Sequence, residues 1–265
     1  MTKPAAPRHR AFRAADPSRA PSPSRVIDPA QVDAGFATLG LSLSPGQRQQ
    51  LLDYLHLLQR WNGVYNLTAL RGGEDMVSHH LMDCLAVLPR LAAVLDSAAP
   101  RAHAPADMPA DMPADGPVNI LDVGSGGGLP GVVLAICRPD WSVTCVDTVA
   151  KKATFLRQVA AELRLPNLTA EHARVEQLAG RSPRRFHLIT ARAFAALPAL
   201  VQLTRPLLAD DGVWMAMKGQ VPDDEIRALP SDAEVFHVEQ LAVPGLDARR
   251  CLVWVRPRAA PGHPT

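Results

Sequence analysis

The stretch Val118-Asn119-Ile120-Leu121-Asp122-Val123 runs directly into Gly124-Ser125-Gly126-Gly127-Gly128-Leu129-Pro130-Gly131, and an apolar helix-forming segment follows. Glycine at this density breaks strand and helix alike. It also allows positive φ and, lacking Cβ, lets a ligand come close to the backbone. The segment therefore reads as strand, ligand-binding turn and helix. Further alternation follows. Residues 142–146 form a strand ending at Asp147, and a helix is expected around 150–164. Strands are expected near 168–171, 186–191 and 212–217, with a helix near 196–208 and a closing strand pair at 235–242 and 251–255. Strands alternating with helices predict an α/β, Rossmann-like parallel sheet covered on both faces, with its ligand outside the strands' carboxyl ends.

Upstream of the sheet lies a small helical segment. Ser44-Pro45-Gly46-Gln47 offers an N-cap, a proline at the first helical position and a capping-box glutamine. Leu51, Leu55 and Leu58 recur behind it at helical spacing. A loop over 62–68 separates this helix from a second, expected as one helix over about 74–95. The chain divides accordingly: a basic, proline-rich tail (1–29), the helical segment (30–95), a low-complexity linker with a repeated Ala-Asp-Met-Pro (96–117), the ligand-binding domain (118–257) and a flexible C-terminus (258–265).

Composition excludes several classes. With 47% hydrophobic and 20% charged residues the chain can bury a core. No apolar run approaches the ~20 residues of a membrane span. The basic N-terminus lacks the apolar stretch of a secretory signal, so a cytoplasmic protein is expected. The four cysteines show no CxxC or CxxH spacing, and buried thiols with no metal site are expected. The formal charge is +2, yet residues 1–30 alone hold six basic against two acidic residues. The remainder is net acidic, so any nucleic-acid contact must come from a local patch.

The glycine pattern, with Asp147 about 20 residues on, satisfies a dinucleotide fingerprint. Other features favour S-adenosylmethionine over a nicotinamide cofactor. Asp122 at the tip of the first strand would repel a pyrophosphate but could face a cationic amino and sulfonium group. Asp147 can accept the two ribose hydroxyls of either cofactor. The only tyrosines, Tyr54 and Tyr65, have no lysine four residues later, so the Tyr-x-x-x-Lys dyad of short-chain reductases is missing.

In order along the chain stand Trp61-Asn62-Gly63-Val64-Tyr65-Asn66-Leu67-Thr68, His80-x-x-Asp83, the glycine loop, Phe155-Leu156, Arg174-Val175-Glu176, Ala191-Arg192-Ala193-Phe194-Ala195 and Lys218-Gly219. This set resembles class I methyltransferases and, within them, the ribosomal RNA small subunit methyltransferase G family, also called glucose-inhibited division protein B. The likeness covers about residues 31–256 outside the linker. His79, Cys84 and Cys251 stand where the family commonly has Arg, Ser and His.

The resemblance implies methylation of N7 of guanine 527, in the 530 loop of 16S rRNA, with S-adenosylmethionine as donor. Its cofactor residues by motif position are Gly124, Gly126, Gly128, Leu129, Asp147, Val175, Glu176 and Arg192. The acceptor would be rRNA, the small ribosomal subunit or an assembly intermediate, and the enzyme a monomer. A class I methyltransferase acting on another RNA base or a small molecule is the alternative, because the fold does not fix the substrate. Guanine N7 carries a free lone pair at neutral pH, so alignment replaces a general base. No Asn/Asp-Pro-Pro-aromatic or Pro-Cys motif is present. Lys218, His80 and Asn66 are the substrate-positioning candidates, with Arg181, Arg184, Arg185 and Arg192 as further RNA-facing cations near strand ends. On their own, His80, Trp61 and Tyr65 read as core residues, Val175 as core and Glu176 as a solvated carboxylate.

Overall fold

A computed structural model describes residues 26–68, 72–95, 117–181 and 184–258. The expected tail, linker and C-terminal segment fall almost entirely outside these residues. Seven strands form one sheet: β1 (Asn119–Val123), β2 (Ser142–Asp147), β3 (Leu168–His172), β4 (Phe186–Arg192), β5 (Leu208–Lys218), β6 (Ala233–Gln240) and β7 (Cys251–Pro257). Their order is β3-β2-β1-β4-β5-β7-β6. The first five are parallel, and β7 runs antiparallel between β5 and β6. All seven strands overlap the segments the sequence assigns to them, but β5 begins at Leu208 instead of 212, because the expected helix ends early, at Thr204, in a short turn over Arg205–Leu207.

Side chains alternate between two cores, as the pleat requires. Ile120, Leu188, Val213 and Met215 face one apolar cluster, while Leu121, Val123, Ile189 and Ala191 face the other. The first cluster is covered by α6 (Gly131–Cys137), α7 (Ala150–Glu162) and the N-terminal helices; α8 (Leu197–Thr204) packs in the second. All four cysteines are buried and free.

The N-terminal helices are α1 (Pro29–Leu39), α2 (Pro45–Tyr65), α3 (Gly73–Met76), α4 (Asp83–Leu85) and α5 (Leu88–Leu95). A short α9 (Asp223–Arg227) follows β5. The capping box of α2 forms on both sides: Gln47 N–H donates to Ser44 Oγ at 3.2 Å, and Ser44 N–H to Gln47 Oε1 at 3.0 Å. The single helix expected over 74–95 is instead broken. A π-helical turn, Val77–Met82, separates α3 from α4, and a turn at Ala86 and Val87 precedes α5. Such turns are rare and concentrate near functional sites. Among the described residues no helix is long and apolar enough to cross a membrane.

The helical segment is fastened to the sheet domain by one face of α2. Gln47 Nε2 donates to the Ile136 and Cys137 carbonyls, closing the C-terminus of α6, and Gln50 Nε2 donates to Leu163 O at the end of α7. Tyr54, fully buried, donates its hydroxyl to Gly127 O at 2.7 Å. The two glutamines satisfy helix-end carbonyls that would otherwise be orphaned, and Tyr54 satisfies one of the glycine turn.

The glycine turn sits under this brace and tolerates little. Gly128 has φ +94°, and a Cβ there would strike Val132 and lie 2.8 Å from Leu156 Cδ2. Gly63, in contrast, is exposed in α2 with nothing within 4 Å. Gly128→Ala should therefore lower stability by roughly 2–4 kcal/mol from left-handed strain plus overpacking. Gly63→Ala should raise it by about 0.5–1 kcal/mol through helix propensity. Urea unfolding of the two variants beside wild type checks both signs.

Candidate active site

The carboxyl ends of β1, β2 and β3 open onto a cleft of about 360 Å³. Its walls include Gly124 at the end of β1, Asp147 at the end of β2, and Val175 and Glu176 just beyond β3. Phe194, beyond β4, and Lys152, on the first turn of α7, complete the sides. The volume falls in the range of small-molecule sites.

The glycine turn meets the floor of the cleft at Gly124, while Gly126 and Gly128 do not line it. Gly124, Gly126 and Gly128 have φ of +68°, +58° and +94°, a conformation that excludes most side chains. Its backbone donors turn inward. Gly124 and Ser125 N–H bond to Val146 O, and Gly128 and Leu129 N–H to Ser125 O. Gly126 N–H donates to Asp147 Oδ2 at 3.0 Å, and Gly131 N–H to Asp122 Oδ2 at 3.0 Å. A phosphate-binding turn presents such groups to its ligand. This one offers close approach without a nest of free donors.

Asp147 is nearly buried, and its second oxygen accepts Val149 N–H at 2.8 Å. Lys152 Nζ stands 3.6 Å away. The carboxylate is thus fixed at the cleft wall by two backbone N–H groups and a cation. Glu176 is exposed and paired with Arg174 at 3.1 Å, whereas Val175 is buried. Asp122 lies beneath the loop, fully buried, with Oδ1 lacking any hydrogen-bond partner. Its register partner on β4, Thr190, likewise keeps an unpartnered buried hydroxyl. Burial pushes the Asp122 carboxyl up to about 6, against the pull of Gly131 N–H and Ser125.

The remaining sequence candidates group elsewhere. Leu129 and Gly128 are buried under the floor and do not line the cleft. Arg192, at the end of β4, turns toward the helical segment. It donates to Asp83 Oδ2 at 3.1 Å and to the His79 carbonyl at 3.0 Å, with His80 Nδ1 at 3.4 Å. His80 is buried and also meets Thr68 Oγ1 at 2.6 Å. Burial, and then the neighbouring Arg192 charge, push its imidazole down to about 4, so it is neutral at physiological pH. Asn66 caps the C-terminus of α2 in a left-handed conformation and is exposed. Lys218, at the end of β5, pairs with Glu225 at 2.8 Å, and that carboxylate also accepts Leu197 N–H.

Two expectations change. Tyr65 is 41% exposed instead of core, because it sits on the last turn of α2 against Trp61 at a ring separation of 5.2 Å. Arg184 and Arg185 directly precede β4, so they lie at the amino end of the strands, across the sheet from the cleft. Arg181 follows the short helical turn Val175–Gln177 in the same connection. Among the described residues no cluster of His, Cys, Asp and Glu is placed to hold a metal ion.

The family described as rRNA small subunit methyltransferase G matches this chain over residues 47–97 and 110–253. The chain belongs to that family. A Ribosomal RNA small subunit methyltransferase G of Leptothrix cholodnii is 59% identical over 226 residues, 85% of this chain and 94% of that protein. Proteins of the same name from Paracidovorax citrulli and Acidovorax sp. (strain JS42) are 54% and 55% identical, over 86% and 85% of this chain and 90% and 93% of theirs. The family match takes in α2, the interrupted helix and the whole sheet through the first residues of β7. It therefore spans the cleft and the Arg192 network together.

Sequence reasoning overlooked Arg250, whose Nε donates to Asp83 Oδ1 at 3.0 Å, so that two guanidiniums share one buried carboxylate. No local signal marks this pairing, since the partners stand 167 and 109 residues apart. Lys152 was overlooked too, although a basic residue one helical turn past a strand-end aspartate is a readable pattern.

The two shifted groups oppose one another in acid. His80 binds its proton in the unfolded chain near 6.5 but in the folded chain only near 4, so its contribution is full above 6.5 and is lost as pH falls. Asp122 is protonated in the folded chain up to about 6 but in the unfolded chain only to 3.8, so its contribution is present in acid and lost as pH rises. Asp122→Asn removes the second effect. Its unfolding free energy should fall more steeply than wild type between pH 6 and 4, measured by urea titration across that range.

Proposed function

We propose that this protein transfers the methyl group of S-adenosylmethionine to N7 of guanine 527 in the 530 loop of 16S rRNA. It would act in the cytoplasm, on the small subunit or an assembly intermediate. Membership of the rRNA small subunit methyltransferase G family, over both the helical segment and the sheet domain that holds the cleft, carries this reading.

The residues present suit the cofactor. Gly124, at φ +68°, brings bare backbone to the cleft, and a Cβ there would strike Phe194. The loop N–H groups of Gly124, Ser125, Gly126, Gly128, Leu129 and Gly131 are consumed within the protein, which suits a ligand without phosphates better than a dinucleotide. Asp147, already oriented by Gly126 and Val149, keeps lone pairs for the ribose hydroxyls. Val175 supplies an apolar wall and Glu176 an acceptor for the adenine edge. Asp122, buried beneath the loop and outside the cleft lining, fixes the turn by accepting Gly131 N–H. Gly128 and Leu129 support this floor from below, and Arg192 holds the β4 side of the site against the helical segment.

When bound, S-adenosylmethionine supplies an electrophilic methyl that the free lone pair of guanine N7 accepts directly. No side chain has to take up a proton in that step. The protein's task is alignment, worth up to roughly 7–11 kcal/mol when two reactants are pre-oriented. Lys218, His80 and Asn66 belong to the substrate side in this reading. Lys218, held by Glu225, places a cation at the sheet edge, and His80 braces Arg192.

Incubation with labelled S-adenosylmethionine and small-subunit particles from a strain deleted for this gene should yield 7-methylguanosine that maps to the 530 loop. Tight cofactor binding without transfer to these particles would overturn the rRNA assignment. Within that assay, Asp147→Ala should weaken cofactor binding by about ten-fold or more, from lost hydrogen bonds to a charged acceptor. Lys218→Ala should reduce methylation while cofactor affinity, read by calorimetry, stays near wild type.

A further inference from the structure

We propose that the Phe194 ring is the platform on which the acceptor guanine stacks, fixing the plane of the base so that its N7 edge points at the methyl group. This rests on the methyltransfer reading above. The sheet order is β3-β2-β1-β4-β5 through this region. A cofactor with its adenine at Val175 and Glu176 beyond β3 and its ribose at Asp147 on β2 extends past Gly124 on β1 toward β4. The reacting end therefore meets the segment after β4, and Phe194 is the aromatic side chain that lines the cleft there among the described residues.

The backbone aims this ring. Ala193, between Arg192 and Phe194, has φ +52°, a left-handed conformation seldom taken by a residue with a Cβ. The kink sends Arg192 to Asp83 and the His79 carbonyl and leaves Phe194 in the cleft. Phe194 rests directly on the first loop glycine: a Cβ on Gly124 would lie 2.6 Å from Phe194 Cδ2. The ring is only partly buried, so it keeps surface for a ligand. Tyr65, the exposed aromatic among the described residues, packs on Trp61 and does not line the cleft.

The chemistry favours a stacking surface over a polar one. The N7 lone pair lies in the plane of the base, so the base must meet the methyl edge-on. A ring against its face sets that plane and leaves the edge free. A base drawn out of an RNA loop also loses its stacking partners, and an aromatic side chain replaces them.

The test uses the full-length protein, tritiated S-adenosylmethionine and small-subunit particles lacking the modification, with Phe194→Leu, Phe194→Trp and wild type in parallel. Loss of stacking in Phe194→Leu should lower kcat/KM for the particles by roughly 5- to 150-fold. Cofactor Kd, measured without RNA, should stay within about two-fold, and Phe194→Trp should recover most of the activity. The proposal is overturned if Phe194→Leu keeps wild-type kcat/KM, or if its cofactor Kd weakens as much as kcat/KM falls, which would make the ring a cofactor wall. It is equally overturned if Trp serves no better than Leu. Wild type that transfers nothing overturns the parent reading along with this one, and that result is read before any variant is compared.

Discussion

Three left-handed positions within five residues, Gly124, Gly126 and Gly128, let β1 reverse into α6 over a very short span, and groups from distant parts of the chain fix the result. Val146 and Asp147 of β2 take the first N–H groups, Asp122 takes that of Gly131, and Tyr54 of α2 donates to the Gly127 carbonyl. The crowding is severe. A Cβ on Gly131 would strike Cys145 and approach Asp122 Oδ2 to 2.8 Å, and one on Gly127 would lie 2.9 Å from Leu58 Cδ1. The turn is therefore a packed, internally satisfied unit and not a pliable loop. A ligand entering above it meets backbone already in its final shape, which lowers the ordering cost of binding.

That constraint explains why the helical segment belongs to the site. Gln47, Gln50 and Tyr54 fall on one face of α2, and each closes a different gap: the end of α6, the end of α7 and the glycine turn. Without α2 these buried carbonyls would lose their partners, at about 1–3 kcal/mol for each buried group left unsatisfied. Leu51, Leu55 and Leu58 supply the apolar contact between those polar fixtures. The interrupted helix extends the same arrangement to the far side of the cleft, where its His79 carbonyl and Asp83 receive Arg192.

How much of this is legible in sequence depends on the range of the interaction. Strands such as β1, β2 and β5 are legible because apolar runs end at Gly124, Asp147 and Gly219, and the α2 capping box because its partners stand three residues apart. The π turn is not, since Val77–Met82 has ordinary helical composition and its distinctive hydrogen bonding is set by what packs around it. The shared carboxylate of Asp83 joins residues over a hundred positions apart, which no local pattern encodes. Asp122 shows the subtler failure. Its place at a strand tip suggests a ligand-facing carboxylate, but alternation along β1 turns it to the same face as Cys145, beneath the loop. Arg184 and Arg185 mislead for a topological reason, because the connection after β3 runs back across the sheet before β4 begins.

Charge at the β4–β5 edge follows from the same economy of partners. Arg192 and Arg250 share the single Asp83 carboxylate, while Lys218 has Glu225, which also accepts a backbone N–H. The pairing holds each of these cations in place. A chain whose net charge outside its first thirty residues is acidic thus fixes three cations, Arg192, Arg250 and Lys218, by ion pairs at this end of the sheet. Fixed is the operative property. Methyl transfer to a free lone pair asks for no proton relay, only for two reactants held in register. Long side chains left unpaired would supply attraction without position. By tethering its cations to Asp83 and Glu225, the fold sacrifices some attraction for an anionic acceptor and gains the rigidity that alignment demands.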